Sequence, residues 1–124
     1  MTRVHSFGDD ALGDSDAVGL AAALRAGDVS RAEVIDAAIA RAEAVNPELN
    51  GLAYAAFERA RGRVPVDGFF AGVPTFVKDN ADVAGMPTMD GTDAWTPRPQ
   101  AADGDFAATY LGTGMVALGK TRLS

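Results

Sequence analysis

GVPTFVKDNADVAG, residues 72–85, is the stretch from which the fold of this chain is best predicted. It begins with a Gly-Val-Pro turn. Residues 75–77 are apolar or β-branched and are typical of a buried strand. Lys78 follows at the strand end, and a polar loop comes after it. The segment therefore predicts a strand that delivers a cationic side chain to the edge of a sheet.

Two interpretations of Lys78 are open from this pattern. A lysine at the end of an apolar strand loses hydration, which lowers its pKa and favours the neutral amine that acts as a general base. Asp79 could then orient that amine. The alternative is a lysine that buries its aliphatic stem and keeps its ammonium in water. The spacing alone favours the second interpretation.

The chain before this segment predicts a tail and a first helix. Residues 1–16 have no apolar core of a signal peptide and are expected to be a flexible N-terminal tail. Ser15 or Asp16 can cap a helix over residues 17–26, and Gly27 can end it. The folded part of the chain is therefore expected to begin at residue 17, with residues 17–124 as the N-terminal portion of a single domain.

A second helix is predicted directly after the first. Ser30 and Glu33 have the spacing of a capping box, in which each side chain bonds to the backbone of the other residue. Apolar residues follow at helical intervals. We expect the helix to end at Asn46-Pro47, since proline disfavours helical backbone in the residue before it.

The second half of the chain alternates between strands and helices. The predicted elements are a strand at 52–57, a helix at 58–63, a strand at 72–78, a helix at 106–111 and a strand at 115–118. Asp103 or Asp105 is expected to cap the fourth helix, and residues 119–121 to form a turn. This order predicts an α/β fold with a largely parallel sheet. The predicted helices are too few to cover both faces of the sheet. We therefore expect this chain to be the beginning of a larger domain.

Composition excludes several classes of partner. The 124 residues carry a net charge of −6, which argues against nucleic acid and anionic membranes as partners. No apolar run is long enough to cross a bilayer. The absence of cysteine excludes disulfides and thiolate metal sites. It is compatible with a reducing compartment, and we expect a cytoplasmic protein.

Two motif-like patterns have ordinary explanations. GMVALGKT, residues 114–121, fits the phosphate-loop formula, but its middle is an apolar strand that cannot bend around phosphate. The loop aspartates lack the spacing of a calcium loop. His5, in the tail, is expected to have no catalytic role. The loop aspartates are Asp79, Asp82, Asp90 and Asp93.

The blocks of this sequence resemble the amidase signature family. GVPTFVKDNADVAGMPTMDGT, which begins at Gly72, is similar to the family's lysine segment. DGDFAATYLGTGMVALGKT, residues 103–121, resembles the helix and strand that follow it. AEVIDAAIARAEAVNPELN, residues 32–50, is similar to an earlier helix that ends in Asn-Pro. The blocks occur in the family's order, over about residues 17–124.

The resemblance implies a fold and a chemistry. The fold would be the N-terminal part of an α/β/α sandwich with a mixed sheet, incomplete in this chain. The reaction would be hydrolysis of amide bonds by a Ser, cis-Ser and Lys triad, with Lys78 as the catalytic lysine. No cofactor and no metal are implied. Lys120 is expected to be structural.

The sequence departs from the family at the serines. Both belong to a Gly-Gly-Ser-Ser-Gly-Gly type of stretch, which these 124 residues do not contain. We therefore expect the chain alone to lack activity and a stable sheet. The expected partner of the full-length protein is a small-molecule amide, and a homodimer is compatible with the sequence. The alternative is a non-catalytic truncated remnant, or a partner-dependent chain such as the amidase-type component of a glutamyl-tRNA amidotransferase.

Overall fold

The computed structural model describes residues 3–123, in which two consecutive helices are followed by alternating strands and helices. The helices are α1 (Ala17–Ala26), α2 (Arg31–Leu49), α3 (Phe57–Gly62) and α4 (Asp105–Leu111). The strands are β1 (Leu52–Ala55), β2 (Pro74–Lys78) and β3 (Val116–Thr121). The mixed α/β class predicted from the sequence is confirmed. Within residues 3–123, no helix has the length and apolar character needed to cross a membrane.

The strands form a three-stranded mixed sheet in the order β1-β3-β2. The central strand β3 is parallel to β2, and Lys78 pairs with Thr121. It is antiparallel to β1, where Ala55 pairs with Gly119. The parallel pair is the one that the strand-helix-strand order predicts. The carboxyl ends of β2 and β3 therefore meet at one edge of the sheet.

Alternation along the strands places apolar side chains on both sheet faces. Val116 and Leu118 of β3 pack with Ile35 and Ile39 of α2, while the intervening Ala117 faces the opposite side. Because successive side chains of a strand point to opposite faces, each face has its own apolar cluster. The opposite cluster joins β2, α4 and the loop after β2 through Val77, Val83, Met86 and Ala107. A third cluster places α1 on α2 through Leu20, Ala21, Val34 and Val73.

The predicted helix starts of α1 and α2 are confirmed. Asp16 is the cap of α1, and its carboxylate accepts a hydrogen bond of 2.7 Å from the Gly19 N–H. Gly27 ends this helix in the left-handed conformation, with φ of 77°. Ser30 and Glu33 form both bonds of the capping box at the start of α2. The sequence could identify these caps because both partners lie within one helical turn.

The prediction that α2 ends at Asn46-Pro47 was wrong. The helix continues to Leu49 with Pro47 inside its last turn. Proline removes only one backbone donor there, and Asn50 then ends the helix at φ 48° with its N–H bonded to the Asn46 carbonyl. The Asn46 side chain accepts from Gly51 and Leu52 N–H groups, which satisfies the backbone that leaves the helix.

The predicted start of α4 also needs correction. Gly104 occupies the cap position and no side chain caps the helix. The Asp103 carboxylate accepts instead from the Ala84 N–H at 2.7 Å. Asp103 therefore joins α4 to the loop after β2 rather than capping its own helix.

The predicted turn at residues 119–121 is part of β3. Thr121 lies in register with both Leu52 of β1 and Lys78 of β2. A Cβ added to Gly119 would overlap the Tyr54 carbonyl oxygen of β1, and φ here is 156°. Glycine therefore lets the central strand pass close to β1, and the Gly-Lys-Thr sequence continues the strand instead of ending it.

Residues 8–16 of the predicted tail fold onto α2. The Arg41 guanidinium donates to both carboxylate oxygens of Asp10 and to the carbonyls of Gly8 and Gly13. The hydrogen bonds from Arg41 hold the pKa of Asp10 below its usual value. The first part of the tail lies partly outside the described residues. Its flexibility, and the start of the domain at residue 17, stay predictions.

Replacement of Ser30 by alanine tests the capping box. We expect Ser30→Ala to lower the free energy of unfolding by about 1 kcal/mol, because the Glu33 N–H loses its acceptor. Ser15→Ala is the control, expected to change stability by less than about 0.5 kcal/mol. Urea unfolding followed by circular dichroism measures both, in the longer protein of the source cells if the 124 residues alone do not form a stable sheet. Equal stability of the two variants would contradict the assignment.

Replacement of Gly119 by alanine tests the close approach of β3 and β1. We expect Gly119→Ala to destabilise the chain by about 3 kcal/mol, since the new methyl group collides with the Tyr54 carbonyl. Gly62→Ala is the matched control, because a methyl group there meets nothing within 4 Å. The control should be neutral, or stabilising by up to about 1 kcal/mol. A Gly119→Ala variant as stable as its parent in urea would refute the contact.

Candidate functional site

Lys78 is the last residue of β2 and its side chain is exposed. Its backbone pairs with Thr121 of β3, and its carbonyl accepts from the Ala81 N–H at 3.1 Å. Among residues 3–123, no hydrogen bond or ion pair to its ammonium is present. The loss of hydration considered from the sequence is therefore absent here, and the solvated interpretation describes this structure.

Asp79 turns away from Lys78 and into the protein. Only 2% of Asp79 is exposed, and one carboxylate oxygen lies 3.5 Å from the Lys120 Nζ. The same oxygen accepts from the Met89 N–H at 3.2 Å. The expectation that Asp79 orients Lys78 is wrong in this structure, because its carboxylate is engaged by another lysine.

Lys120 is the fully buried lysine of the site, with 0% of its surface exposed. Its Nζ donates to the Pro87 carbonyl and to the Thr88 hydroxyl, each at 3.1 Å. With Asp79 as counter-ion, the ammonium has three oxygen neighbours in place of water. Lys120 therefore occupies the structural position that the family resemblance implies.

The buried ion pair fixes the loop that follows Lys78. Lys120 binds the loop at Pro87 and Thr88, and the Asp79 carboxylate binds it at Met89. The backbone adds a second tie, since the Asp90 N–H donates to the Asp79 carbonyl at 3.0 Å. Burial of two charges is unfavourable unless each is paired and hydrogen-bonded, and the loop supplies three of the hydrogen bonds that this pair makes. The loop is thereby held beside the end of β2.

The two motif-like patterns do not form sites in the described residues. Residues 116–121 are a strand, and the ammonium of Lys120 is buried and bonded, so it is not available to a phosphate. Across residues 3–123, no three His, Asp or Glu side chains lie where they could hold a metal ion. His5 is exposed in the N-terminal segment, at the ring of Phe7.

Thr88 and the Asp79–Lys120 pair were missed by sequence reasoning. The two charges lie in separate blocks of the sequence, and only the parallel pairing of β2 with β3 brings them together. A usable signal was the apolar run before Lys120, which predicts a buried lysine and therefore a buried partner. Nothing in the sequence indicates that Thr88 completes the site.

Comparison with known proteins identifies the family. The family model described as Amidase matches residues 33–124. The chain is 67% identical to the "Putative amidase AmiC" of Mycobacterium leprae, over 100% of the chain and 27% of that protein. It is 37% identical to the 6-aminohexanoate-cyclic-dimer hydrolase of Paenarthrobacter ureafaciens, over 86% of the chain and 22% of that protein.

Solved structures agree with this assignment. The native peptide amidase of Stenotrophomonas maltophilia superposes with a TM-score of 0.75 and 26% identity, over 91% of this chain and 26% of that structure. A 6-aminohexanoate cyclic dimer hydrolase gives a TM-score of 0.77 and 33% identity, over 92% of this chain and 24% of that structure. The chain belongs to the amidase signature family. It spans about a quarter of the length of these relatives.

The two lysines allow a matched test of the buried pair. We expect Lys120→Met to lower the free energy of unfolding by about 3 kcal/mol, because Asp79 is left buried without its counter-ion. Lys78→Met makes the same chemical change at an exposed position and should shift stability by less than about 0.5 kcal/mol. Urea titration compares the two. If both variants unfold at the same midpoint, the buried pair is not the stabilising element.

Proposed function

We propose that this chain is the lysine-bearing portion of an amidase, an enzyme that hydrolyses carbon–nitrogen amide bonds, with Lys78 as its catalytic base. The observation that carries the proposal is the position of Lys78. It lies within the residues matched by the family model, at the carboxyl end of a parallel strand, with an accessible ammonium. Ligand sites of open α/β sheets lie beyond the carboxyl ends of the strands.

The proposed mechanism is proton transfer through two serines to lysine. The neutral Lys78 amine takes a proton from a bridging cis-serine, which takes one from the nucleophilic serine. The nucleophilic oxygen bonds to the amide carbonyl carbon, and backbone N–H groups near the bridging serine stabilise the oxyanion. The proton passes to the leaving nitrogen as the carbon–nitrogen bond breaks. Water then cleaves the acyl-enzyme ester to a carboxylic acid.

The structure supports a positioning role for the loop held by Lys120 in this mechanism. A catalytic role requires that the backbone at Lys78 have a fixed position. Asp79, the next residue, is held by its ion pair with Lys120. A catalytic amine must also lose its proton in the working enzyme. In this structure Lys78 is exposed, so the proposal requires that the serine-bearing part of the enzyme cover Lys78 and remove its hydration.

The substrate is proposed only as a class. The curated and solved relatives include a 6-aminohexanoate-cyclic-dimer hydrolase, an indoleacetamide hydrolase and a peptide amidase. Their names give different substrates, each with an amide bond. We therefore propose a small-molecule amide. No cofactor or metal enters the mechanism, because each step is a proton or acyl transfer. A cytoplasmic location and a homodimer stay predictions.

A partner-dependent role is the second candidate. The chain is 34% identical to a glutamyl-tRNA(Gln) amidotransferase polypeptide of Alkalilimnicola ehrlichii, over 84% of the chain and 23% of that protein. In this candidate, activity needs another polypeptide, and a second protein should purify with the chain from its source cells. Purification of a single active polypeptide would favour the first candidate.

The proposal is tested by assaying hydrolysis of a simple aromatic amide. We expect the 124-residue chain to be inactive, since it lacks the family's paired serines.

If the source cells contain a longer protein with this sequence, that protein should be active, and Lys78→Ala should lower kcat by about a thousandfold or more. Arg98→Ala, a surface change, is the control. Activity of the short chain would refute its predicted inactivity, and full activity of Lys78→Ala would refute the role of Lys78.

A further inference from the structure

Three arginines line one small cavity at the other end of the sheet from Lys78. Arg31 begins α2, Arg59 lies in α3, and Arg63 follows α3. The cavity has a volume of about 30 Å³ and also contacts residues 114–117, at the start of β3. Lys78 lies beside the opposite end of β3, at Thr121. Lys78 therefore does not line the cavity, although Arg59 also donates to Ala84 in the loop after β2.

These guanidiniums use few of their donors on the protein. Arg31 donates to the Arg63 carbonyl at 3.0 Å, and Arg59 donates to the Ala84 carbonyl. Within residues 3–123, the Arg63 guanidinium has no hydrogen-bond acceptor. Since each guanidinium carries several N–H donors, most of the donors of these three side chains form no hydrogen bond within the described chain.

Four of the neighbouring carboxylates are engaged elsewhere. Asp36 and Glu58 both bind Arg61, which does not line the cavity. Glu33 accepts from the Ser30 N–H in the capping box, and Asp103 accepts from the Ala84 N–H. Arg61 of α3 thus has two carboxylate partners. The three cavity arginines have no carboxylate hydrogen bond in the described chain.

The charge of Arg63 repels the charges of Arg31 and Arg59. Burial lowers the pKa of Arg31 and of Arg59, and the charge of Arg63 lowers both further. Asp103 and Tyr54 act on the pKa of Arg59 in the opposite direction. A chain of net charge −6 thus concentrates like positive charges at one half-buried place. A bound anion would relieve this repulsion.

We propose that Arg31, Arg59 and Arg63 form a binding site for a small oxyanion. Guanidinium groups match the paired oxygens of phosphate and carboxylate groups, which accept two parallel N–H bonds. The cavity volume of about 30 Å³ has room for a water-sized group, such as one oxygen of the ion, and the exposed Arg63 can bind the oxygens that stay outside. The site is independent of the proposed amidase function.

The test follows the arginine side-chain N–H signals of ¹⁵N-labelled protein during titration with sodium phosphate. We expect saturable shifts at all three cavity arginines, and none at Arg98. Acetate at equal ionic strength tests whether a carboxylate suffices, and chloride controls for screening. A response to either oxyanion beyond the chloride response supports the site. If the protein in its source cells is longer, the same titration is done on that protein.

Matched variants decide whether the response is local. Arg63→Gln should weaken phosphate binding about tenfold, while Arg98→Gln removes the same charge from an exposed position and should leave it unchanged. Thermal unfolding midpoints with and without phosphate provide a second readout. The proposal is overturned by an equal loss in both variants, or if neither phosphate nor acetate gives a response beyond that of chloride.

Discussion

The buried pair of Lys120 and Asp79 is the constraint on which the candidate site depends. A charge without water must be paired and hydrogen-bonded, and here the requirement is met by residues from β3, the end of β2 and the loop between them. The loop contributes the Pro87 carbonyl, the Thr88 hydroxyl and the Met89 N–H. The loop after Lys78 is therefore bound by Lys120 and Asp79, and Lys78 itself makes no side-chain hydrogen bond with it among the described residues.

The two lysines illustrate how position in a sheet determines chemistry. Val77 pairs with Lys120 and Lys78 pairs with Thr121, so neighbouring register positions carry one buried and one exposed ammonium. The buried lysine has its oxygen partners within the chain and stabilises the loop. The exposed lysine is accessible to groups that these 124 residues do not supply. In the amidase signature family the expected partner of this lysine is a serine. The proposed function takes that expectation together with the position of Lys78.

Predictions from sequence succeeded where the interacting groups are close along the chain. The capping box of α2 needs only Ser30 and Glu33, and the left-handed cap of α1 needs only Gly27. They failed where a distant strand or loop changed the outcome. Residues 119–121 look like a turn, but pairing with β1 and β2 extends the strand through them. Asp103 resembles a helix cap, yet it bonds to the loop at Ala84.

The sequence by itself determined the α/β class, the helix caps of α1 and α2, the strand ending in Lys78 and the likeness to an amidase, because these follow from short-range pattern and motif. Only the tertiary structure decided that Lys78 is exposed, that Asp79 serves Lys120, and that three arginines share a cavity. Burial and charge pairing arise from contacts between segments far apart in the chain. Those contacts depend on how the sheet and its helices pack, and the local sequence pattern does not predict them.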